Sequence, residues 1–131
     1  MTEIPLIYVK DAALLVIRII LGITMIYYGW FKIKDMKANA KSFDKMGFRP
    51  GSFWGTIVMV IEFFGGIFIL LGFYWGLAAA LISLEMVTGA IWKITKTEKP
   101  FTDWSYDLLI LSSALAIMTF GPGKYSLAAI I

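Results

Sequence analysis

Four apolar runs, each near the ~17–25 residues a helix needs to cross a bilayer, leave this chain few options outside a membrane. They cover residues 12–31, 53–73, 74–92 and 104–120. Trp30, Trp54, Trp75, Trp92 and Trp104 all fall at the ends of these runs, where amphipathic rings favour the membrane–water interface. The chain is 131 residues long, 60% hydrophobic and 16% charged. A soluble domain of that size has too little interior to hide so much apolar surface. The expected fold is all-α: an integral membrane four-helix bundle, forming a single domain over residues 1–131.

Basic residues give the chain a net charge of +3, yet they cluster in loops between apolar runs. Lys32, Lys34, Lys37, Lys41, Lys45 and Arg49 follow the first run, and Lys93, Lys96 and Lys99 follow the third. Both loops lie on one side, leaving Lys10 and Lys124 on the other. That is the charge pattern of membrane topology, not of nucleic-acid binding. It predicts a multi-pass protein of the plasma membrane with cytoplasmic basic loops and both termini outside. The first ten residues lack a basic n-region and a small-residue cleavage site, and read as a retained lead-in. With no cysteine and no histidine, disulfides, thiol redox chemistry, Cys/His zinc sites and histidine-ligated haem are excluded. No metal site and no covalently bound cofactor is expected.

Between the first two runs, Ile33, Met36, Ala40, Phe43 and Gly47 recur at helical spacing, with lysines on the other face. This predicts a short amphipathic interfacial helix ended by Gly47 and Pro50. It serves either as a docking surface for a cytoplasmic partner or, more simply, as a connector whose lysines meet anionic headgroups. The second and third runs join almost directly at Leu71-Gly72-Phe73-Tyr74, so they must be antiparallel neighbours.

Three charges interrupt the apolar runs: Arg18, Glu62 and Glu85. A charge at bilayer depth costs ~2.5–3.5 kcal/mol even on lenient scales, so such residues are paired, inward-facing and functional by default. Counting from the ends of the runs at ~1.5 Å per residue puts Arg18 about 9 Å deep and both glutamates about 15 Å deep. The three groups are therefore expected to meet, with Arg18 and Glu62 as the ionised pair and Glu85 holding a proton. The opposite assignment of the glutamates is equally legal, as is a purely structural Arg18–Glu62 bridge. Asp107 faces either Lys93 and the headgroups or a polar path with Tyr27, Tyr28, Tyr106 and Lys32. Gly22, Gly29, Gly65, Gly66, Gly76 and Ala80 suit close helix packing. Gly65 and Gly66 also leave room beside Glu62 for a flat ligand, with Phe63, Phe64 and Met86 along it.

Taken in order, the residues resemble the DoxX family of small four-helix membrane proteins, including its DoxD-like members, over about residues 14–127. Arg18 with Leu21-Gly22, Gly29 and Lys32 is similar to the family's first-helix pattern. Gly47-Phe48-Arg49-Pro50 resembles its glycine–proline loop, and Glu62 with Gly65-Gly66 and Leu71-Gly72 its second-helix signature. Gly121-Pro122-Gly123 with Ser126-Leu127 resembles its closing motif. Phe73-Tyr74-Trp75, Asp107 and Ala128 depart from the pattern, standing where a basic residue, a glutamate and an acidic or amide residue are common. The resemblance implies a quinone-linked membrane subunit, associated in archaea and bacteria with terminal oxidases or thiosulfate oxidation; other relatives act in membrane redox homeostasis or assembly. The first reading is thus a subunit of a respiratory, quinone-dependent oxidoreductase, not catalytic alone. Its site would comprise Arg18, Glu62 and Glu85, with Gly65, Gly66, Met86 and Asp107 around a quinone. The alternatives are a non-catalytic assembly subunit and a small proton-coupled carrier. The expected partners are lipid and other membrane subunits, and a homo-oligomer is compatible with the chain.

Overall fold

The computed structural model describes residues 3–130, and every regular element among them is helical. In chain order these are α1 (Glu3–Lys34), α2 (Met36–Met46), α3 (Gly51–Leu71), α4 (Trp75–Lys96), α5 (Phe101–Phe120) and α6 (Leu127–Ile130). All four apolar runs are helical, but only three helices are long and apolar enough to cross a membrane: α1 over Val9–Lys34, α3 and α4. α5, of similar length and carrying Asp103 and Asp107, is not among them. The architecture established is therefore three spanning-competent helices with α5 packed along α4. The lead-in is continuous with α1 from Glu3 onward; Met1 and Thr2 lie outside the described residues.

Local chemistry places the ends. Gly72 closes α3 in the left-handed conformation at φ 71°, its N–H donating to the Phe68 and Ile69 carbonyls. The Phe73 N–H also returns to the Phe68 carbonyl at 3.0 Å, completing a Schellman-type stop. Only Gly72, Phe73 and Tyr74 separate α3 from α4, and Tyr74 itself is left-handed at φ 50°. The expected boundary thus shifts by one or two residues, because the glycine ends the helix before the apolar run ends.

The connector helix forms as expected. Asp35 caps α2 by accepting from the Ala38 N–H at 3.1 Å, and Gly47 stops it at φ 95°. Its inward face is Asn39, Ala40, Phe43 and Asp44, while Met36 is exposed. Asn39 Nδ2 donates to the Gly55 carbonyl at 2.9 Å, and Asp44 Oδ1 accepts from the Gly51 N–H at 2.8 Å. The second bond satisfies a first-turn N–H of α3, where Pro50 offers no side-chain cap.

Glycines set how closely the long helices approach. A Cβ on Gly22 would lie 2.9 Å from the Gly66 carbonyl oxygen, and one on Gly29 would lie 2.6 Å from the Phe63 nitrogen. As α1 numbers rise the facing α3 numbers fall, so the two helices are antiparallel with backbones nearly touching. Gly76 departs from expectation: nothing lies within 4 Å of a Cβ there, so it is not a packing position. Gly29→Leu is accordingly expected to force α1 from α3 and cost at least ~1–3 kcal/mol. Gly76→Ala should instead be neutral or stabilising by up to ~1 kcal/mol, through helix propensity. Thermal unfolding of the two variants in detergent checks this contrast.

Leu21, Met25, Ile69, Ile82, Met86 and Ile117 fill the centre of the bundle. Ile20, Leu77, Leu84 and Leu109 stand fully outward, so apolar surface covers the outside as well as the core. Such a surface suits lipid as its solvent.

Candidate functional site

The three midchain charges do not form one cluster. Arg18 is 2% exposed and spends its guanidinium entirely on backbone carbonyls. Its Nε donates to Ile69 O at 3.1 Å and Nη2 to Leu70 O at 2.8 Å, in the last turn of α3. Its Nη1 donates to Pro122 O at 3.1 Å and Tyr125 O at 2.9 Å. The first two acceptors belong to a helix C-terminus, where carbonyls lack intrahelical partners and the helix dipole favours a cation. Arg18 thereby clasps the segment after α5 onto the end of α3. Ser126 and Gly72 complete the clasp: Ser126 Oγ donates to Gly123 O at 2.8 Å, and the Ala128 N–H to Gly72 O at 3.2 Å. A Cβ on Gly72 would collide with Ser126 and with the Arg18 guanidinium.

This corrects the expected Arg18–Glu62 pair, and helix register is the reason. With Gly22 opposite Leu70, Arg18 falls beside Gly72. Ten residues of α3 separate Gly72 from Glu62, about 15 Å along the axis and beyond an arginine side chain.

The cation that meets Glu62 is Lys32, one turn beyond Gly29 on the same face of α1. Its Nζ lies 2.5 Å from Glu62 Oε1. The Lys32 side chain is 24% exposed and that of Glu62 only 8%. Across the bundle, Lys93 Nζ lies 3.0 Å from Asp107 Oδ2, so Asp107 takes the lysine-facing option. Gly89 lies alongside: a Cβ there would be 3.4 Å from that oxygen, an ordinary van der Waals contact.

Glu85 sits between the two pairs. Its carboxyl adjoins Glu62, with Lys32 and Asp107 within electrostatic reach. Glu85 Oε1 is shielded from solvent, as are Glu62 Oε1 and Asp107 Oδ2, and the Glu85 carboxyl is hydrogen-bonded to the Glu62 side chain. Lys32, Glu62, Glu85, Asp107 and Lys93 thus form a polar chain touching α1, α3, α4 and α5. Two ammonium groups face three carboxyls, so the expected surplus of one acidic group is present with different cations. Among the described residues no group of His, Cys, Asp or Glu is placed to hold a metal ion.

The flat space expected beside Glu62 is filled. Gly66 is pressed against Gly22 and Ile26 of α1, Gly65 lies against Ile82 of α4, and Met86 is part of the core. Phe64 points outward. An open groove of about 540 Å³ lies instead between α1 and α2, lined by Tyr27, Tyr28, Phe31, Lys32, Asp35, Ala38 and Asn39. Lys32 therefore serves both the groove and the Glu62 pair. Its signal was present in the sequence, since Arg18, Leu21, Met25, Gly29 and Lys32 share one helical face by their 3- and 4-residue spacing.

A family model described as DoxX matches residues 13–95, a stretch that holds Arg18, Lys32, Glu62, Glu85 and Lys93 and ends before Asp107. No curated protein and no solved structure gives a significant match to the chain. With more than half its length matched and three helices able to span a bilayer, this chain is a multi-pass membrane protein that belongs to the DoxX family.

Proposed function

We propose that the chain is a quinone-linked membrane subunit whose ligand groove is the α1–α2 cleft and whose proton-holding group is Glu85. The supporting observation is the shielded Glu85 carboxyl, hydrogen-bonded to a glutamate whose lysine lines an aromatic groove. The fit is chemical: Tyr27, Tyr28 and Phe31 offer faces for a flat ring, and the Lys32 ammonium a donor for a ring oxygen. A bound quinone would supply the two-electron chemistry, for which the chain has no electron carrier of its own, so a partner subunit must exchange the electrons. The protein's part is to orient the ring, hold Lys32 by Glu62, and keep a proton on Glu85, the charge-balanced state of the polar chain. In this reading α5 crosses the bilayer as a fourth helix, in the plasma membrane, with the basic loops cytoplasmic.

Quinone binding to the purified chain, followed by tryptophan quenching in detergent, tests the groove. Lys32→Met should weaken binding about tenfold, the loss of one charge-assisted hydrogen bond. Absence of binding to the wild-type chain, or equal binding by the variant, removes the site. One observation favours a second reading, a non-catalytic assembly subunit: Arg18, the most buried charge, is wholly engaged in holding the chain together.

A further inference from the structure

We infer that the outer face of α2 is a binding site for the headgroups of anionic phospholipids. Lys37, Lys41 and Lys45 stand four residues apart on it, a row with ~6 Å steps along the helix. All three are exposed, and none is in an ion pair among the described residues. The acidic groups of this segment are directed elsewhere: Asp35 accepts from the Ala38 N–H and Asp44 from the Gly51 N–H. Three ammonium groups against these two carboxylates leave α2 with a net positive charge.

Its position selects the occupant. α2 joins the same ends of two spanning-competent helices, α1 and α3, which places it at the level where headgroups lie. The helix is pinned through Asn39 on the face away from the row and through Asp44 on its flank, and the Trp92 indole N–H donates to the Met46 carbonyl at 3.0 Å. The lysine row is thus presented on a fixed support, not on a loose loop. Phosphodiester groups in the surrounding leaflet supply the missing negative charge.

Electron spin resonance of the full chain in phosphatidylcholine vesicles tests this, with spin-labelled phosphatidylglycerol compared against spin-labelled phosphatidylcholine. The wild-type chain should select phosphatidylglycerol about fivefold or more at low salt, the equivalent of one lysine near an anionic surface. Selectivity should fall as salt rises. K37Q/K41Q/K45Q should bring the two lipids to parity, with helicity by circular dichroism unchanged, while K10Q at the opposite end keeps the preference. Equal uptake of both lipids by the wild-type chain, as expected if the row serves an acidic protein partner, overturns the inference. So does a triple variant that retains the wild-type preference.

Discussion

Replacing Arg18 by methionine is expected to cost about 3–5 kcal/mol, the usual loss when one partner leaves a buried charged network. Four carbonyls lose their donor at once, those of Ile69, Leu70, Pro122 and Tyr125. The first two have the end of α3 to fall back on, whereas the segment of Pro122 and Tyr125 keeps the bonds of the Lys124 N–H to Asp11 Oδ1 and of the Ala128 N–H to Gly72 O. Damage should concentrate there, and trypsin cleavage after Lys124 should accelerate well before the bundle unfolds. Arg18→Lys should recover only part of the loss, because one ammonium cannot reproduce the planar fork that reaches four acceptors. Combining Arg18→Met with Glu62→Gln should give additive losses, since the two sites share no partner. Strong coupling between them, read by chemical unfolding in mixed micelles, would restore the Arg18–Glu62 pair and refute the clasp.

Glu85 should behave in the opposite way. Glu85→Gln replaces a shielded carboxyl with a neutral isostere that can still donate to Glu62, and stability should change by less than ~1 kcal/mol. Its chemistry should vanish. A protonated carboxyl in an apolar setting reacts with hydrophobic carbodiimides, whereas a carboxylate paired with a lysine does not. Labelling of the wild-type chain should map by mass spectrometry to Glu85 and disappear in Glu85→Gln. Glu62→Gln strips Lys32 of its counter-charge and should cost about 1–3 kcal/mol in stability. Labelling at Glu62 in place of Glu85 would reverse the assignment of the two carboxyls.

Local rules made much of this fold legible before any coordinates. Apolar length placed the long helices, spacing found α2, and Gly47 marked a helix end that the structure closes with a left-handed residue. Pairing across the bundle was less accessible. Depth counted from the first residue of an apolar run assumes that helices end level, yet α1 begins at Glu3 and runs well past the end of α3. That offset carried Arg18 away from the glutamates and brought Lys32 to them. The closing motif was visible as Gly121-Pro122-Gly123 and Ser126, but its purpose lies in bonds to a residue more than a hundred positions away. Asp107 shows the same limit: its lysine was one of two options, and only the packed helices bring Lys93 and Asp107 together.

The central claim is that a proton held at Glu85 answers to a ligand in the groove at Lys32. Infrared difference spectroscopy of the reconstituted chain, recorded as quinone is added and washed away, reads it most directly. A protonated-carboxyl C=O band should shift on binding, be lost in Glu85→Gln, and no longer respond in Lys32→Met. A wild-type spectrum without any protonated-carboxyl change, or one that is unaltered in Glu85→Gln, would contradict it.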